Sequence, residues 1–283
     1  MTKIIERVEV APNVHRLVLE APEIARKVRP GHFVIVMPTE EGERVPLSVA
    51  GWDTRSGTIT IYFLEVGVST MKLASKEAGD SVYALVGPLG RPASVGKVGT
   101  VILGAGCYGI GAITPIARAL KEAGNRLIVI SEGRSAYLLY NRDELRGYAD
   151  EYLEATSDGS VGTSRGKVYD LIESVLSREK VDLAYFIGCT FMMMNCAEAT
   201  RKSGTKTLVA LNSLMLDGTG MCGVCRVSIG GKTKFACVDG PEFDGHQVDW
   251  LELFQRKSIY IPEEAMAYQY HKCRAFECKE GVD

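Results

Sequence analysis

No run of 18 apolar residues occurs in this 283-residue chain, so no segment of it reads as a membrane span. An excess of one charge is also missing. Thirty-three Lys and Arg stand against 35 Asp and Glu, a net charge of −2, which gives neither nucleic acid nor an anionic membrane a reason to bind. The opening residues, Met-Thr-Lys-Ile-Ile-Glu, carry no apolar signal core, and the expected location is the cytoplasm. Internal repeats and low-complexity linkers are absent. A hydrophobic content of 46% with 24% charged residues is that of an ordinary globular protein, and the length leaves room for about two domains. Cysteine, by contrast, is abundant. The chain has 8, and in a reducing compartment these read as metal ligands or redox groups before disulfides.

Three of the cysteines lie around one stretch, Asp217-Gly-Thr-Gly-Met-Cys222-Gly-Val-Cys225, closed by Cys237. The positions read D-x4-C-x2-C-x11-C. A plant-type [2Fe–2S] site is written C-x4-C-x2-C…C, so Asp217 stands where the first cysteine would be. Two ferric ions bridged by sulfides need four anionic outer ligands converging closely. Gly218, Gly220 and Gly223 let the backbone wrap around them with φ > 0 and turn N–H groups inward. A zinc site would want a second C-x2-C or a His pair, and neither Cys273-x4-Cys278 nor His246 supplies one cleanly. The readings are therefore a [2Fe–2S] cluster held by Asp217, Cys222, Cys225 and Cys237, a reduced C-x2-C turn, or half a zinc site. Asp217 itself is either a ligand or the cap of a turn. As a ligand, a carboxylate is a harder donor than thiolate, favours Fe(III), and predicts a lowered potential.

Before residue 98, short Val- and Ile-rich segments at 4–10, 14–20, 32–37, 45–51, 57–64 and 81–86 alternate with Pro, Gly and Asn. This spacing predicts a small antiparallel barrel. One helix is expected at about 68–78, opened by Ser69-Thr70. Arg44-Val-Pro46-Leu47-Ser48 sets a cation, a rigid proline and a hydroxyl at a strand start, a combination suited to a phosphate and a flat ring. Gly67-Val-Ser69-Thr70 opens the helix, a natural anion position. Gly87-Pro88-Leu89-Gly90-Arg91-Pro92 reads as a rigid closing turn.

Residues 99–103 form a buried strand, then Gly104-Ala-Gly106-Cys-Tyr-Gly109-Ile-Gly111 precedes a helix at about 112–123 and a strand at 126–130. This is the strand–turn–helix–strand unit that cradles a dinucleotide, with glycines for close approach of the backbone to a pyrophosphate. Glu132 follows too soon to match a ribose carboxylate well. A further strand, 182–188, leads into Cys189-Thr-Phe-Met192-Met193-Met194, where methionine also suits helix core. Arg134, Arg142 and Arg165 are candidates for a 2′-phosphate, or surface charges. Strand 207–211 is followed by the cluster motif, a hairpin turning at Gly230-Gly231 that returns Cys237, and a helix through 250–254. Cys107 and Cys196 are expected as buried packing residues, and Cys273 and Cys278 as free thiols.

Taken in order, these motifs resemble the ferredoxin–NADP reductase superfamily. Pro30-Gly31-His32-Phe33-Val34, the Arg44–Ser48 strand, the Gly67–Thr70 helix start and the Gly87–Gly90 turn carry the first part of the likeness. Thr156-Ser-Asp158-Gly159-Ser160 matches the family's T-x-D-G-S/T loop near the nucleotide. The resemblance implies FAD, with Arg44, Pro46, Leu47 and Ser48 at its ring and phosphate and Gly67, Ser69 and Thr70 at its pyrophosphate. It implies NAD(H) or NADP(H) at Gly104, Gly106, Gly109, Asp158, Gly188, Cys189 and Met192. The Cys107-Tyr108 insertion and Cys189 in place of proline depart from the family pattern.

The Asp217–Val227 and Lys234–Asp244 stretches make the chain similar to the electron-transfer subunit of dihydroorotate dehydrogenase B. They make it more similar still to the small subunit of the bifurcating NADH-dependent ferredoxin:NADP oxidoreductase (the sulfide dehydrogenase small subunit), which has aspartate at the first ligand position. The implied architecture is a flavin-binding antiparallel β-barrel at 1–97, a parallel α/β nucleotide-binding domain at 98–211, a [2Fe–2S] lobe at 212–260 and a tail at 261–283. The implied partner is a large subunit with its own flavin and [4Fe–4S] clusters, with ferredoxin served through the complex. This chain has no motif for either of those groups, so it would not bifurcate alone.

Overall fold

The computed structural model describes residues 1–160 and 164–280; the side chains of Cys273 and Cys278 lie outside the described residues. The first sheet contains β1 (Thr2–Ala11), β2 (Val14–Glu20), β3 (Phe33–Met37), β4 (Val45–Asp53), β5 (Thr58–Leu64), β6 (Ser81–Val82) and β7 (Ala84–Leu89), in the order β6-β1-β2-β5-β4-β3-β7. Every pairing is antiparallel. The edge strands β6 and β7 are consecutive in the chain, so the sheet curls until its two ends nearly meet, the barrel expected from the strand spacing. Its interior is filled by Leu17, Leu19, Val34, Val36, Ile59, Ile61 and Phe63. Alternation puts these side chains on the inner face of the pleat. A short helix, α1 (Pro22–Ala25), starts on a proline that fixes its first φ. The helix expected at 68–78 is the shorter α2 (Val68–Ala74), ended by Ser75 and the positive-φ Gly79.

The second sheet is parallel. It is built from β8 (Thr100–Gly106), α3 (Gly109–Glu122), β9 (Arg126–Gly133), α4 (Arg142–Tyr148), β10 (Glu151–Thr156), β11 (Ser164–Arg165), α5 (Val168–Arg178), β12 (Leu183–Ile187), α6 (Thr190–Arg201) and β13 (Lys206–Ala210). Helix α3 begins three residues earlier than expected, directly after the glycine loop. The strands are apolar on both faces because helices cover both sides.

The C-terminal part is stitched to this frame rather than hung from it. Its hairpin, β14 (Arg226–Ile229) and β15 (Lys232–Phe235), turns at Gly230 and Gly231, both with positive φ as a tight two-residue turn requires. Then β16 (Glu242–Asp244) adds antiparallel to β13, pairing Val209 with Phe243, as the last strand of the second sheet. One apolar core holds Phe33 and Ile35 of the barrel together with Val209, Val227, Phe243, Cys225 and Cys237. Helix α7 (Trp250–Lys257) is N-capped by Asp249, whose Oδ1 accepts from Glu252 N at 2.9 Å. Helix α8 (Ile261–Glu280), in a tail where no element was expected, ends the described chain. Among the described residues no helix is long and apolar enough to cross a membrane.

Candidate functional site

All three parts of the molecule meet at one cleft. Pro46, Leu47 and Ser48 of β4 face it from the barrel, with Phe33 and Tyr62 beside them. Tyr108 and Ile187 contribute from the parallel sheet, and Leu211, Asn212 and Ser213 from the end of β13. Met215 and Pro241 close it from the C-terminal lobe. The cleft encloses about 710 Å³ with its open mouth included. Its mostly apolar lining suits a flat ring. It lies at the carboxyl ends of the parallel strands, where open α/β sheets bind ligands. Ser213 is buried, and its Oγ has no hydrogen-bond partner within the protein.

The sequence expectations are distributed unevenly around this cleft. Pro46, Leu47 and Ser48 line it, whereas Arg44 is exposed just ahead of β4. At the start of α2, Thr70 Oγ1 accepts from Val66 N at 2.9 Å and Gly67 N at 3.0 Å and donates to Gly67 O. Ser69 Oγ donates to Glu43 Oε2 at 2.8 Å. Both hydroxyl hydrogens are thus used inside the protein, so only the backbone N–H groups of the helix start remain to donate to an anion.

In the glycine loop, packing is the dominant demand. A Cβ on Gly104 would sit 2.6 Å from the Phe186 ring, and one on Gly109 would sit 2.2 Å from the Ile187 carbonyl oxygen. On Gly106 it would lie 3.1 Å from Met192 Sδ. These glycines let β8 and the start of α3 press against β12 and α6. Cys107, expected to be buried, is exposed instead: it occupies the left-handed region at φ 52°, and this turn points it out of the core. Cys196 is buried as expected, and burial pushes its thiol well above the ordinary value.

Cys189 sits at the N-cap of α6, its sulfur accepting from Met192 N at 3.4 Å, while Met192 and Met193 are core. Glu132 spends its carboxylate on Lys167 Nζ (3.2 Å) and Val168 N (3.0 Å) at the start of α5, so it caps a helix. Arg142 is held by Glu154 through two 2.7 Å hydrogen bonds, an internal ion pair and not the solvated charge expected. Asp158 accepts from the Ser135 hydroxyl and from Ser160 N, and these bonds hold its carboxyl down at about 2.

The cluster motif forms a curled loop ahead of the hairpin, with Met221 and Cys222 exposed and Gly218 and Cys225 buried. Gly218, Gly220 and Gly223 adopt φ of 74°, 86° and 69°, the left-handed wrapping expected of them. Asp217 Oδ1 accepts from Thr219 N at 3.0 Å, and its Oδ2 accepts from Cys222 N at 2.9 Å and Met221 N at 3.2 Å. Those amides hold its carboxyl near 2 and keep it anionic. Cys225 and Cys237 are buried with their sulfurs 3.1 Å apart, and burial together with Cys225 pushes the Cys237 thiol up to about 12. Among the described residues no three metal-binding side chains close on one point. The donors come as two pairs, Asp217 with Cys222 and Cys225 with Cys237. That arrangement suits a two-iron cluster, which takes two outer ligands on each iron, better than a mononuclear ion.

Tyr62, Tyr108, Asn212, Met215 and Pro241 escaped the sequence reading. Of these only Asn212 left a signal, as a polar residue directly after a strand of a parallel sheet.

Residues 212–249 match the family described as the iron–sulfur cluster binding domain of dihydroorotate dehydrogenase B. Over 269 residues, 95% of each chain, the protein is 39% identical to a dihydroorotate dehydrogenase B (NAD(+)) electron transfer subunit homolog of Thermotoga maritima. It is similar to the solved structure of an NADH-dependent reduced ferredoxin–NADP oxidoreductase, studied for flavin-based electron bifurcation. There the TM-score is 0.91 with 37% identity, covering 96% of this chain and 98% of the other. Phthalate dioxygenase reductase, at 16% identity and a TM-score of 0.56, shares the fold.

Proposed function

Because the chain belongs to the dihydroorotate dehydrogenase B electron-transfer subunit family, within the ferredoxin–NADP reductase superfamily, we propose that it serves as the flavin and [2Fe–2S] subunit of an NADH-dependent ferredoxin:NADP oxidoreductase-like complex. The observation that carries the proposal is the cleft shared by Pro46–Ser48, Asn212 and the lobe residues Met215 and Pro241, because it sets a ring site directly against the cluster-bearing lobe. Bound there, FAD would convert a hydride from NADH or NADPH into single electrons, which a [2Fe–2S] cluster accepts one at a time.

The rest follows from residues of the chain. Pro46 and Leu47 give the ring an apolar floor, and Ser48 and Asn212 give it polar edges. Arg44, exposed at the mouth, is available to the FAD phosphates, as are the backbone N–H groups opened by Gly67. A nicotinamide dinucleotide would approach over Gly106, Gly109 and Gly188, with the exposed Cys189 at the start of α6, Met192 packed beneath Gly106 and Gly188, and Asp158 at its far end. Asp217, Cys222, Cys225 and Cys237 hold the cluster, with the Asp217–Cys222 pair outward. A large subunit with its own flavin and [4Fe–4S] clusters completes the complex and communicates with ferredoxin. The Asp217 carboxylate is the feature that favours this complex over a dihydroorotate-oxidising one.

The test is to isolate the native complex without oxygen, assay iron, sulfide and flavin, and mix it with NADH or NADPH in a stopped-flow spectrometer. Bleaching of flavin by one of the nucleotides, in a complex containing a second flavin- and [4Fe–4S]-bearing subunit, is expected. A dihydroorotate-oxidising partner would replace this reading with the pyrimidine one. No bleaching by either nucleotide would leave a flavin and iron–sulfur relay that has lost nicotinamide binding. An Asp217→Cys protein with unchanged midpoint potential and EPR spectrum would remove Asp217 from the ligand set.

A further inference from the structure

Four polar side chains from four separate elements form a line of hydrogen bonds beside the cleft. Lys257 Nζ, at the end of α7, donates to Thr190 Oγ1 at 2.8 Å. Thr190 Oγ1 lies 2.9 Å from Asn212 Oδ1. Asn212 Nδ2 lies 2.5 Å from the Tyr108 hydroxyl and, at a long 3.5 Å, from Gly188 O; the Tyr108 hydroxyl donates to that same carbonyl at 2.9 Å. Asn212 and Tyr108 line the cleft; Lys257 and Thr190 stand behind them.

The two ends of the line fix its direction together: the Gly188 carbonyl can only accept, so Tyr108 donates to it and takes a hydrogen from Asn212 Nδ2, which leaves Asn212 Oδ1 facing Thr190. An ammonium can only donate. Thr190 Oγ1 must therefore accept from Lys257, and its one hydrogen goes to Asn212 Oδ1. The two ends of an amide look alike in shape but not in chemistry, and here just one orientation satisfies the line. The carbonyl of Asn212 turns back toward Thr190, and its NH2 turns toward Tyr108 and the cleft. Tyr108, accepting from Asn212, passes its own hydrogen to the Gly188 carbonyl. Among the described residues Lys257 has no carboxylate partner; the interior it enters pulls its pKa down. A half-buried cation facing a hydroxyl and the Cys189 thiol carries a desolvation cost that the fold does not itself explain.

We propose that Lys257, carried by the C-terminal lobe, acts through Thr190 as a positioning residue that holds Asn212 with its NH2 toward the cleft, so that the wall offers a hydrogen-bond donor to the polar edge of a bound flavin ring and raises its reduction potential. The inference rests on the flavin reading above. Reduction adds negative charge to the ring, and a fixed donor backed by a cation stabilises the reduced form more than the oxidised one. The lobe that carries the cluster would thereby also tune the ring from which the cluster draws.

The experiment is spectroelectrochemical titration of the full-length protein with its bound flavin, as wild type, K257M, K257R, T190V, N212L and the K257M/N212L double variant. K257M and T190V are each expected to lower the flavin midpoint potential and shift its visible band, with K257R close to wild type. K257M should add nothing further in the N212L background, because both act on the same donor. An unchanged cluster EPR spectrum reports an intact lobe, and if K257M does not fold, T190V breaks the line with the lysine in place. A potential and band unmoved by K257M or T190V would overturn the inference, as would a K257M effect that persists in full in N212L. Wild-type protein that takes up no flavin overturns the functional reading, and this inference with it. Flavin that binds but ignores Lys257 and Thr190 overturns the inference alone.

Discussion

Two glycine-rich loops flank the cleft, and they use glycine for different physical reasons. In the cluster loop, Gly218, Gly220 and Gly223 all have positive φ, so backbone handedness requires all three, and at Gly218 a Cβ would in addition meet Leu89 at 2.7 Å. At the end of β8 and the start of α3, Gly104, Gly106 and Gly109 have ordinary φ, and what they lack is room: Phe186, Met192 and Ile187 occupy the space of a side chain. The first loop is curled by its own backbone handedness, whereas the second stretch is pressed against its own sheet. The carboxylates of the two regions differ in the same sense. Asp217 is held by backbone amides of its own loop, Asp158 by the Ser135 hydroxyl from another loop.

The largest expected effect tests the packed loop. Gly109→Ala places a Cβ against a backbone carbonyl that has nowhere to go and should cost about 3 kcal/mol or more. Thermal and denaturant unfolding would measure this. A smaller loss is expected from Gly223→Ala, where the nearest atom is 3.7 Å away and only the left-handed conformation is strained, at about 1 to 2 kcal/mol. Gly223→Asn should recover part of that loss, because asparagine visits this region more easily. If Gly223→Ala proved costlier than Gly109→Ala, or Asn were no better than Ala, the two causes would have been assigned the wrong way round.

The smallest effect concerns the carboxylates. The Asp158 carboxyl titrates at about 2 in the folded protein, against an ordinary value of 3.8. Its tether to Ser135 is therefore complete above roughly pH 4 and is lost as pH falls through the folded value. Ser135→Ala should move the Asp158 carboxyl up toward its ordinary value in an NMR titration and leave Asp217 where it is. A shift at both would mean that the loops are coupled.

Much of the fold was legible because its signals are local. Alternation in Thr58–Leu64 marks a strand with one buried face, and the apolar run after Gly99 marks one buried on both. The hairpin turn at Gly230 and Gly231 is written in two adjacent residues. Other features were not legible. Cys107 reads as a packing residue by type, yet its left-handed turn carries it outward, and a dihedral angle is not visible in a letter. Arg142 looks like a surface charge until the fold brings Glu154 to it across the gap between α4 and β10.

The sequence alone determined the curl of the cluster loop, since the spacing of Asp217, Cys222 and Cys225 and the glycines between them act within one short stretch. It also determined the succession of barrel, parallel sheet and hairpin through periodicities of a few residues. Only the tertiary structure decided the cleft and the line behind it. Lys257 and Thr190 are 67 residues apart, Tyr108 and Asn212 are 104 apart, and no local pattern links them. They meet because β16 pairs with β13 and draws the lobe, with α7, against the carboxyl edge of the sheet. That placement is set by burial of Phe243, Val209 and their neighbours, an energy that depends on which surfaces face each other and not on their order in the chain.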